Sequence, residues 1–490
     1  MSLLGAWRDA PSPLLVDGEL VPGPRRFATV DPATEEVLGE ATDAAPADLD
    51  RAIAAAHRAF HETGWATDLH GRVRGLRQLQ EALVRHAGEL RELTVREAGA
   101  PRFLTYGAQL DTPVADLGWF ARLAEEYAWT RDLGRAAPMG VASDRQVVRE
   151  PVGVVAAITP WNFPHQITLA KLGPALAAGN TVVLKPAPDT PWCAAVLGRL
   201  IAEETDLPPG VVNVVTGADH ALGARLAADP RVDLVSFTGS TATGRAVMRG
   251  AAETLTKVFL ELGGKSAFIA LDDADLRSAC SYAAFAGITH AGQGCAITTR
   301  LLVPRARHDE AVEITARVMA KIGVGDPRDD GTVCGPVISA RQRDRIEGHL
   351  ELALEEGGSF ATGGRRADRD KGFWIEPTLV TGLTNASRTA REEIFGPVIV
   401  VLPHDGDDDA VRIANDSPYG LSGAVHGGDR DRAHAVARRL RTGTVSVNGG
   451  VWYSADVPFG GYKQSGVGRE MGVAGFEEYL ETKSIAEGAV

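Results

Sequence analysis

Cysteine is scarce in this chain. Its 490 residues include four, Cys193, Cys280, Cys295 and Cys334, far apart and without a Cys-x-x-Cys pair. They cannot staple a protein of this size, so a reducing compartment is expected in preference to export, and no metal site is expected. Long apolar runs are missing as well: none reaches the roughly 18 residues a membrane-crossing helix requires. The opening MSLLGAWRDAPSPLL carries an acid and prolines where a secretion leader has basic residues and an apolar run. Basic residues are in the minority, 51 Lys and Arg against 64 Asp and Glu, for a net charge of −13. That balance argues against nucleic acid or an anionic membrane surface as a partner. The expectation is a soluble cytoplasmic protein. Internal repeats, low-complexity segments and the GxGxxG dinucleotide fingerprint are also absent; GVGREMG, from Gly466, has the wrong spacing and follows no predicted strand.

What is present is ordinary globular material, 44% hydrophobic and 23% charged, enough for roughly two to four domains of about 150 residues. From Asp48 to Ala128 apolar residues recur three and four apart, which predicts helices with glycines near their ends. Residues 131–151 are mixed and turn-prone. From Gly153 onward short β-branched runs (GVVAAI, TVVLK, VVNVV, VDLVSF) alternate with helical patterns. Such alternation predicts βαβ crossovers and a parallel, doubly wound sheet whose ligands bind outside the carboxyl ends of the strands. The polar clusters TPWNFPH, KPAPDT and FTGSTATG each follow a strand, so they should gather at one edge. A second alternating region is expected from near Ala284 through VIVVLPH and TVSVNG, and the tail FEEYLETKSIAEGAV reads as an added edge strand.

Three places carry candidate chemistry. LVSFTGSTATGRAV, Leu234 to Val247, has the glycines of a triphosphate loop at Gly239 and Gly244, but Arg245 and Ala246 replace its lysine and hydroxyl, so the magnesium apparatus is missing. Ser240 can cap the following helix, whose free amides attract phosphate without metal; the motif alone reads first as a plain strand–turn–helix joint. In ITHAGQGCAITTR, Cys295 is flanked by small residues, and a nucleophilic thiol there needs a base and an anion-stabilising donor. Glu261, in FLELGGKS, ends a predicted strand ahead of paired glycines that permit close backbone approach. Asn162, in TPWNFP, offers an amide donor in a loop held by Pro160 and Pro164. Each alone is also readable as a small buried thiol, a strand-end acid and a turn residue.

Taken in order, TPWNFP, LGPALAAGNTVVLKPA, FTGSTATG, LELGGKS, GQGC, EEIFGPV, NDSPYGLSGAV and PFGGYKQSGVGRE resemble the NAD(P)-dependent aldehyde dehydrogenase superfamily along essentially the whole chain. Composition and periodicity alone reach a two-domain α/β protein. The resemblance implies an aldehyde dehydrogenase-like α/β fold: a Rossmann-like dinucleotide-binding domain from residues 1–130 and 152–262, an α/β catalytic domain from 263–469, and a small β oligomerisation element from 131–151 and 470–490. It implies that Cys295 attacks the aldehyde to give a thiohemiacetal, that Asn162 and the Cys295 amide hold the oxyanion, and that Glu261 activates the water that hydrolyses the thioester. Thr159, Trp161, Lys185, Gly239, Ser240, Gly244, Glu393 and Phe395 match cofactor contacts. Phe163, Ile167, Ala170, Trp452 and Tyr453 match positions lining a substrate channel, which implies an apolar or aromatic aldehyde. Pro188 stands where many NAD-preferring members carry a glutamate that repels a 2′-phosphate, so NAD is expected with NADP left open. A homodimer or homotetramer is implied. The alternatives are a CoA-acylating dehydrogenase, which generally lacks the base at 261, a catalytically silent cofactor-binding member, and a triphosphatase.

Overall fold

The β-branched runs after Val152 become the centre of an eight-stranded sheet in a computed structural model that describes residues 5–8 and 10–488. Residues 1–4, 9 and 489–490, at the ends of the expected first and third parts, lie outside the described residues. The strands Val154–Thr159, Thr181–Pro186 and Val212–Val214 run parallel in one direction across the sheet, and Leu234–Thr238 and Lys257–Glu261 add in parallel on the other side of Val154–Thr159. The order of addition therefore reverses between Val154–Thr159 and Leu234–Thr238. That reversal opens a crevice at the carboxyl edge, the usual ligand position of a doubly wound sheet. Register levels the edge: Ile158 lies between Lys185 and Phe237, and Thr238 lies beside Glu261. The loops that follow these strands consequently leave at one height.

Helices cover both faces of this sheet. Pro164–Ala178 is mostly apolar and buried along its whole length, its polar His165, Gln166, Thr168 and Lys171 included, as befits a helix sandwiched between a sheet and the outer helices Leu69–Arg85 and Asp111–Glu126. Glu97, fully buried, accepts hydrogen bonds from the Trp192 and Cys193 amides at 2.8 Å each and from Thr29 Oγ1 at 2.8 Å. It thereby caps the helix Pro191–Glu204 that follows the KPAPDT loop.

A second, seven-stranded sheet begins at Ser266–Ala270, earlier than the region near Ala284 expected from periodicity, because Gly263 and Gly264 turn the chain out of the first sheet directly into the second. Its strands are parallel except for Ser359–Thr362 at one edge. The strand Gly466–Val467 returns to pair antiparallel with Lys257–Glu261, so the chain crosses between the sheets twice around Glu261. The excursion and the tail form a three-stranded antiparallel sheet, Leu480–Gly488 against Ser143–Pro151 against Thr130–Ala136. Among the described residues no helix is long and apolar enough to cross a membrane. Cys193, Cys280 and Cys334 are free and buried, whereas Cys295 is free and half-buried.

Candidate active site

Two cavities meet at Cys295. One, of about 640 Å³, runs along the carboxyl edge of the first sheet from Lys185, Pro188 and Asp189 past Gly239 and Ser240 to Glu393, Phe395, Glu261 and Cys295. The other, of about 310 Å³, approaches from the opposite side between Phe163, Gln166, Ile167, Tyr282, Ile297, Trp452, Tyr453 and Phe459. Asn162, Glu261 and Cys295 line both.

Glu261 is held by its strand: its carbonyl accepts from the Gly239 amide at 3.0 Å. Both carboxylate oxygens are buried without hydrogen-bond partners, and burial first, then the charge of Glu470, holds the carboxyl well above the usual range. Lys171 and Arg469 act in the opposite direction. Lys171, fully buried on the helix Pro164–Ala178, donates to Glu470 Oε1 at 3.1 Å, which pairs two charges that would otherwise be stranded in the core. A carboxyl raised in this way is, when ionised, a stronger base than a free carboxylate. At Cys295, burial dominates and the charges of Glu261, Glu393 and Glu470 add to it, pushing the thiol far up; the Ala296 amide opposes them.

The paired glycines act as the close approach read from the sequence. A Cβ at Gly263 would lie 2.0 Å from Glu393 Oε2, and one at Gly264 would lie 2.9 Å from the Cys295 carbonyl. Glu393 Oε1 accepts from the Gly264 amide at 3.0 Å. Phe395 is left-handed at φ 60°, and its ring sits edge-on to Trp161 at 5.4 Å. A bulky residue in that region is held there against strain by its surroundings, as at ligand-binding turns. Ser240 Oγ accepts from the Thr243 amide at 3.2 Å and caps the helix Thr241–Ala252, leaving that helix end open to the larger cavity. Lys185 is buried, not solvated, with Nζ donating to the Pro186 and Gly217 carbonyls at 3.1 and 3.2 Å; burial lowers its pKa to about 8.

Two residues stand apart from the walls expected for them. Gly244 is not on the cavity surface: it faces Leu262, where a Cβ would lie 2.5 Å from Cδ2, so its smallness lets the helix pack on the turn after Glu261. Ala170 is buried in the core of the first sheet's helices and lines neither cavity, because it lies a helical turn beyond Ile167 on a helix buried on all sides. Thr159, Trp161, Phe163, Ile167, Trp452 and Tyr453 do line a cavity. Arg245 turns away from the cleft, its Nη2 donating to Gln464 Oε1 at 2.8 Å, while Ala246 is on the wall. The near-miss triphosphate loop thus carries a docking arginine in place of a phosphate lysine.

Several residues of the site were not singled out from sequence. Gln109 and His290 grip the Asn162 main chain, Gln293 accepts from its side chain, and Phe459 stacks on Trp452 at 5.3 Å with 4° between the rings. Gln293 lies inside GQGC, and its position two residues before the thiol was the one available signal. Gln109 is 53 residues from its partner, a separation that carries none.

A dinucleotide-sized cleft at the switch point of a parallel sheet, meeting a second channel at a thiol, defines an α/β enzyme in which covalent and nucleotide chemistry share one centre. The chain belongs to the aldehyde dehydrogenase family, whose model matches residues 21–485. It is 42% identical to the geranial dehydrogenase of Castellaniella defragrans over 466 residues, 94% of this chain and 95% of that one. It is 38% identical to the betaine aldehyde dehydrogenase of Bacillus subtilis over 480 residues, 96% of each. The crystal structure of the Staphylococcus aureus betaine aldehyde dehydrogenase in complex with NAD+ superposes with a TM-score of 0.95 at 36% identity, covering 99% of this chain and 97% of that one.

Proposed function

We propose that this aldehyde dehydrogenase works through Cys295, Asn162 and Glu261, a reading supported above all by the convergence of these three side chains where the two cavities meet. The Cys295 sulfur attacks the aldehyde carbon, and the oxygen that becomes negative takes hydrogen bonds from Asn162 Nδ2 and the Cys295 amide. The thiol proton passes to solvent water as the bond forms, because burial keeps the thiol from ionising at rest. NAD+ is the cofactor and, bound in the larger cavity, supplies the acceptor for the hydride that turns the thiohemiacetal into a thioester. Its fit is supported by the volume, by the open helix end at Ser240 and by Thr238 Oγ1, which is buried without a partner on that wall. Lys185, Ser240, Gly239, Thr159, Trp161, Glu393 and Phe395 would hold it. Glu261 then takes a proton from water, hydroxide attacks the thioester carbon, the C–S bond breaks as that proton passes on to the departing sulfur, and the carboxylic acid leaves.

Protonated, Glu261 cannot serve as base, so turnover rises with pH through its raised pKa. Under conditions where thioester hydrolysis limits the rate, the acid limb of kcat should lie above the ordinary carboxylate value of about 4.3. Glu470→Gln removes a charge that raises Glu261 and releases Lys171, which lowers it, so the midpoint should move down. A kcat–pH profile in which the variant's midpoint is unchanged or higher contradicts this coupling.

The smaller cavity supports an apolar, medium-chain or aromatic aldehyde, since its wall is mainly apolar and includes Phe163, Ile167, Ile297, Trp452 and Phe459. Hexanal and benzaldehyde are expected to show kcat/KM at least about tenfold above succinic semialdehyde and betaine aldehyde, about what burial of two CH₂ groups contributes. A panel with the order reversed would refute it. In the same assay NAD+ should be preferred over NADP+, but weakly, because Pro188 presents no carboxylate against a 2′-phosphate; a large NADP+ preference would overturn this.

We read 1–130 with 152–262 as the dinucleotide-binding part, 263–469 as the catalytic part, and 131–151 with 470–490 as the oligomerisation element, a division supported by the eight-, seven- and three-stranded sheets, with Gly466–Val467 crossing back to the first. The strand Leu480–Gly488 is exposed from Glu481 to Gly488 and edges its small sheet, and Leu133, Met139, Val141 and Ile485 are exposed on or beside that sheet. A homodimer or homotetramer would cover them. Sedimentation at the mass of one chain would exclude it.

A further inference from the structure

Asn162 sits in the loop between the strand Val154–Thr159 and the helix Pro164–Ala178, where no sheet ladder fixes its main chain. Two side chains do so instead. Gln109 Nε2 donates to the Asn162 carbonyl at 2.9 Å and His290 Nε2 bonds the same oxygen at 2.8 Å. A carbonyl has two lone pairs and no proton, so both bonds can form together and Nε2 of His290 must carry the hydrogen. Nδ1 is buried without a partner, and burial lowers the imidazole to about 4, keeping the ring neutral in the working range. The Phe163 ring lies 5.3 Å away at 79° and fixes the plane of the imidazole.

The turn that carries His290 also carries the thiol. His290, Ala291 and Gly292 are all left-handed, at φ 53°, 51° and 68°, a strained run that persists only where surroundings over-determine it. The His290 amide donates to the Val333 carbonyl at 3.0 Å, and Gly292 presses on the Gly396 carbonyl so closely that a Cβ would lie 2.1 Å from it. From this turn the Gln293 carbonyl accepts one hydrogen of Asn162 Nδ2 at 2.9 Å. A side-chain amide has two hydrogens, so the second is left for the substrate oxygen.

We propose that His290 is a positioning residue that sets the Asn162 amide against Cys295: it clamps the main chain of residue 162 to the turn bearing the thiol while Gln293 clamps the side chain. The inference rests on reading Asn162 as the oxyanion donor. It is tested in the full-length enzyme with NAD+ and hexanal, using His290→Met and His290→Phe, which fill the space without donating, and His290→Gln, which keeps a donor. In whichever of the first two folds with an unchanged circular dichroism spectrum, kcat is expected to fall about 10- to 100-fold, the scale of a misplaced or lost oxyanion donor. KM for NAD+ should stay within about threefold, and His290→Gln should recover most of kcat. In an Asn162→Ala background the same substitutions should cost less than about threefold further, because the donor they position is gone. If kcat of the folded variant stays within about twofold, or if the losses multiply in the double variant, His290 has no such role. Asn162→Ala alone separates the two readings: a large loss there with no loss at His290 overturns only the clamp, whereas no loss at Asn162 removes the donor reading and the clamp with it.

Discussion

Cys295→Ala is expected to abolish aldehyde-dependent NADH formation, with kcat down by about 10⁴-fold or more, while the protein folds and NAD+ still binds. The magnitude follows from what the sulfur does. Loss of a nucleophile removes the covalent route itself, and what remains is the small advantage of orientation and oxyanion binding. Stability should change little, since Cys295 is half-buried on a cavity wall and its truncation opens no closed void. The measurement is initial-rate NADH absorbance together with quenching of tryptophan fluorescence by NAD+. Retained turnover would place the chemistry elsewhere; Cys193, Cys280 and Cys334 are all buried away from both cavities.

The second large effect separates the two halves of the reaction. Glu261→Gln should leave oxidation intact and slow hydrolysis by about 10²- to 10⁴-fold, the usual worth of a general base. Glutamine matches the shape of the acid and costs no buried charge, so the cavity and the Gly239 bond to the Glu261 carbonyl are kept. Rapid mixing with saturating NAD+ and hexanal should then give a burst of NADH near one equivalent per active site, followed by a slow steady rate. A CoA-acylating enzyme would have been indifferent to this substitution. Loss of the burst together with the steady rate would mean that Glu261 acts before the thioester forms.

Much of this was legible in the sequence because it is local. Strands alternating with helices gave the parallel sheet, and polar clusters after VVAAIT, TVVLK and VDLVSF gave the edge where the cleft lies. The Gly263–Gly264 pair told of close approach, and Cys295 stood out among four cysteines by its small neighbours. What was not legible depends on residues distant in the chain. Lys171 meets Glu470 across 299 positions, and Gln109 meets Asn162 across 53, so neither pairing leaves a periodic trace. Gly244 and Ala170 went to the wrong surface for a related reason. A motif fixes which residues stand near a ligand in sequence, whereas the side of the helix that faces the cavity is set by packing against Leu262 and the helices outside the sheet.

The most direct measurement is intact-protein and peptide mass spectrometry of Glu261→Gln quenched in acid after mixing with NAD+ and hexanal. The expected result is one added hexanoyl group per chain, on the peptide containing Cys295, and none in the Cys295→Ala variant. An unmodified protein in the presence of a full NADH burst, or an acyl group on any other residue, would contradict covalent oxidation at this thiol.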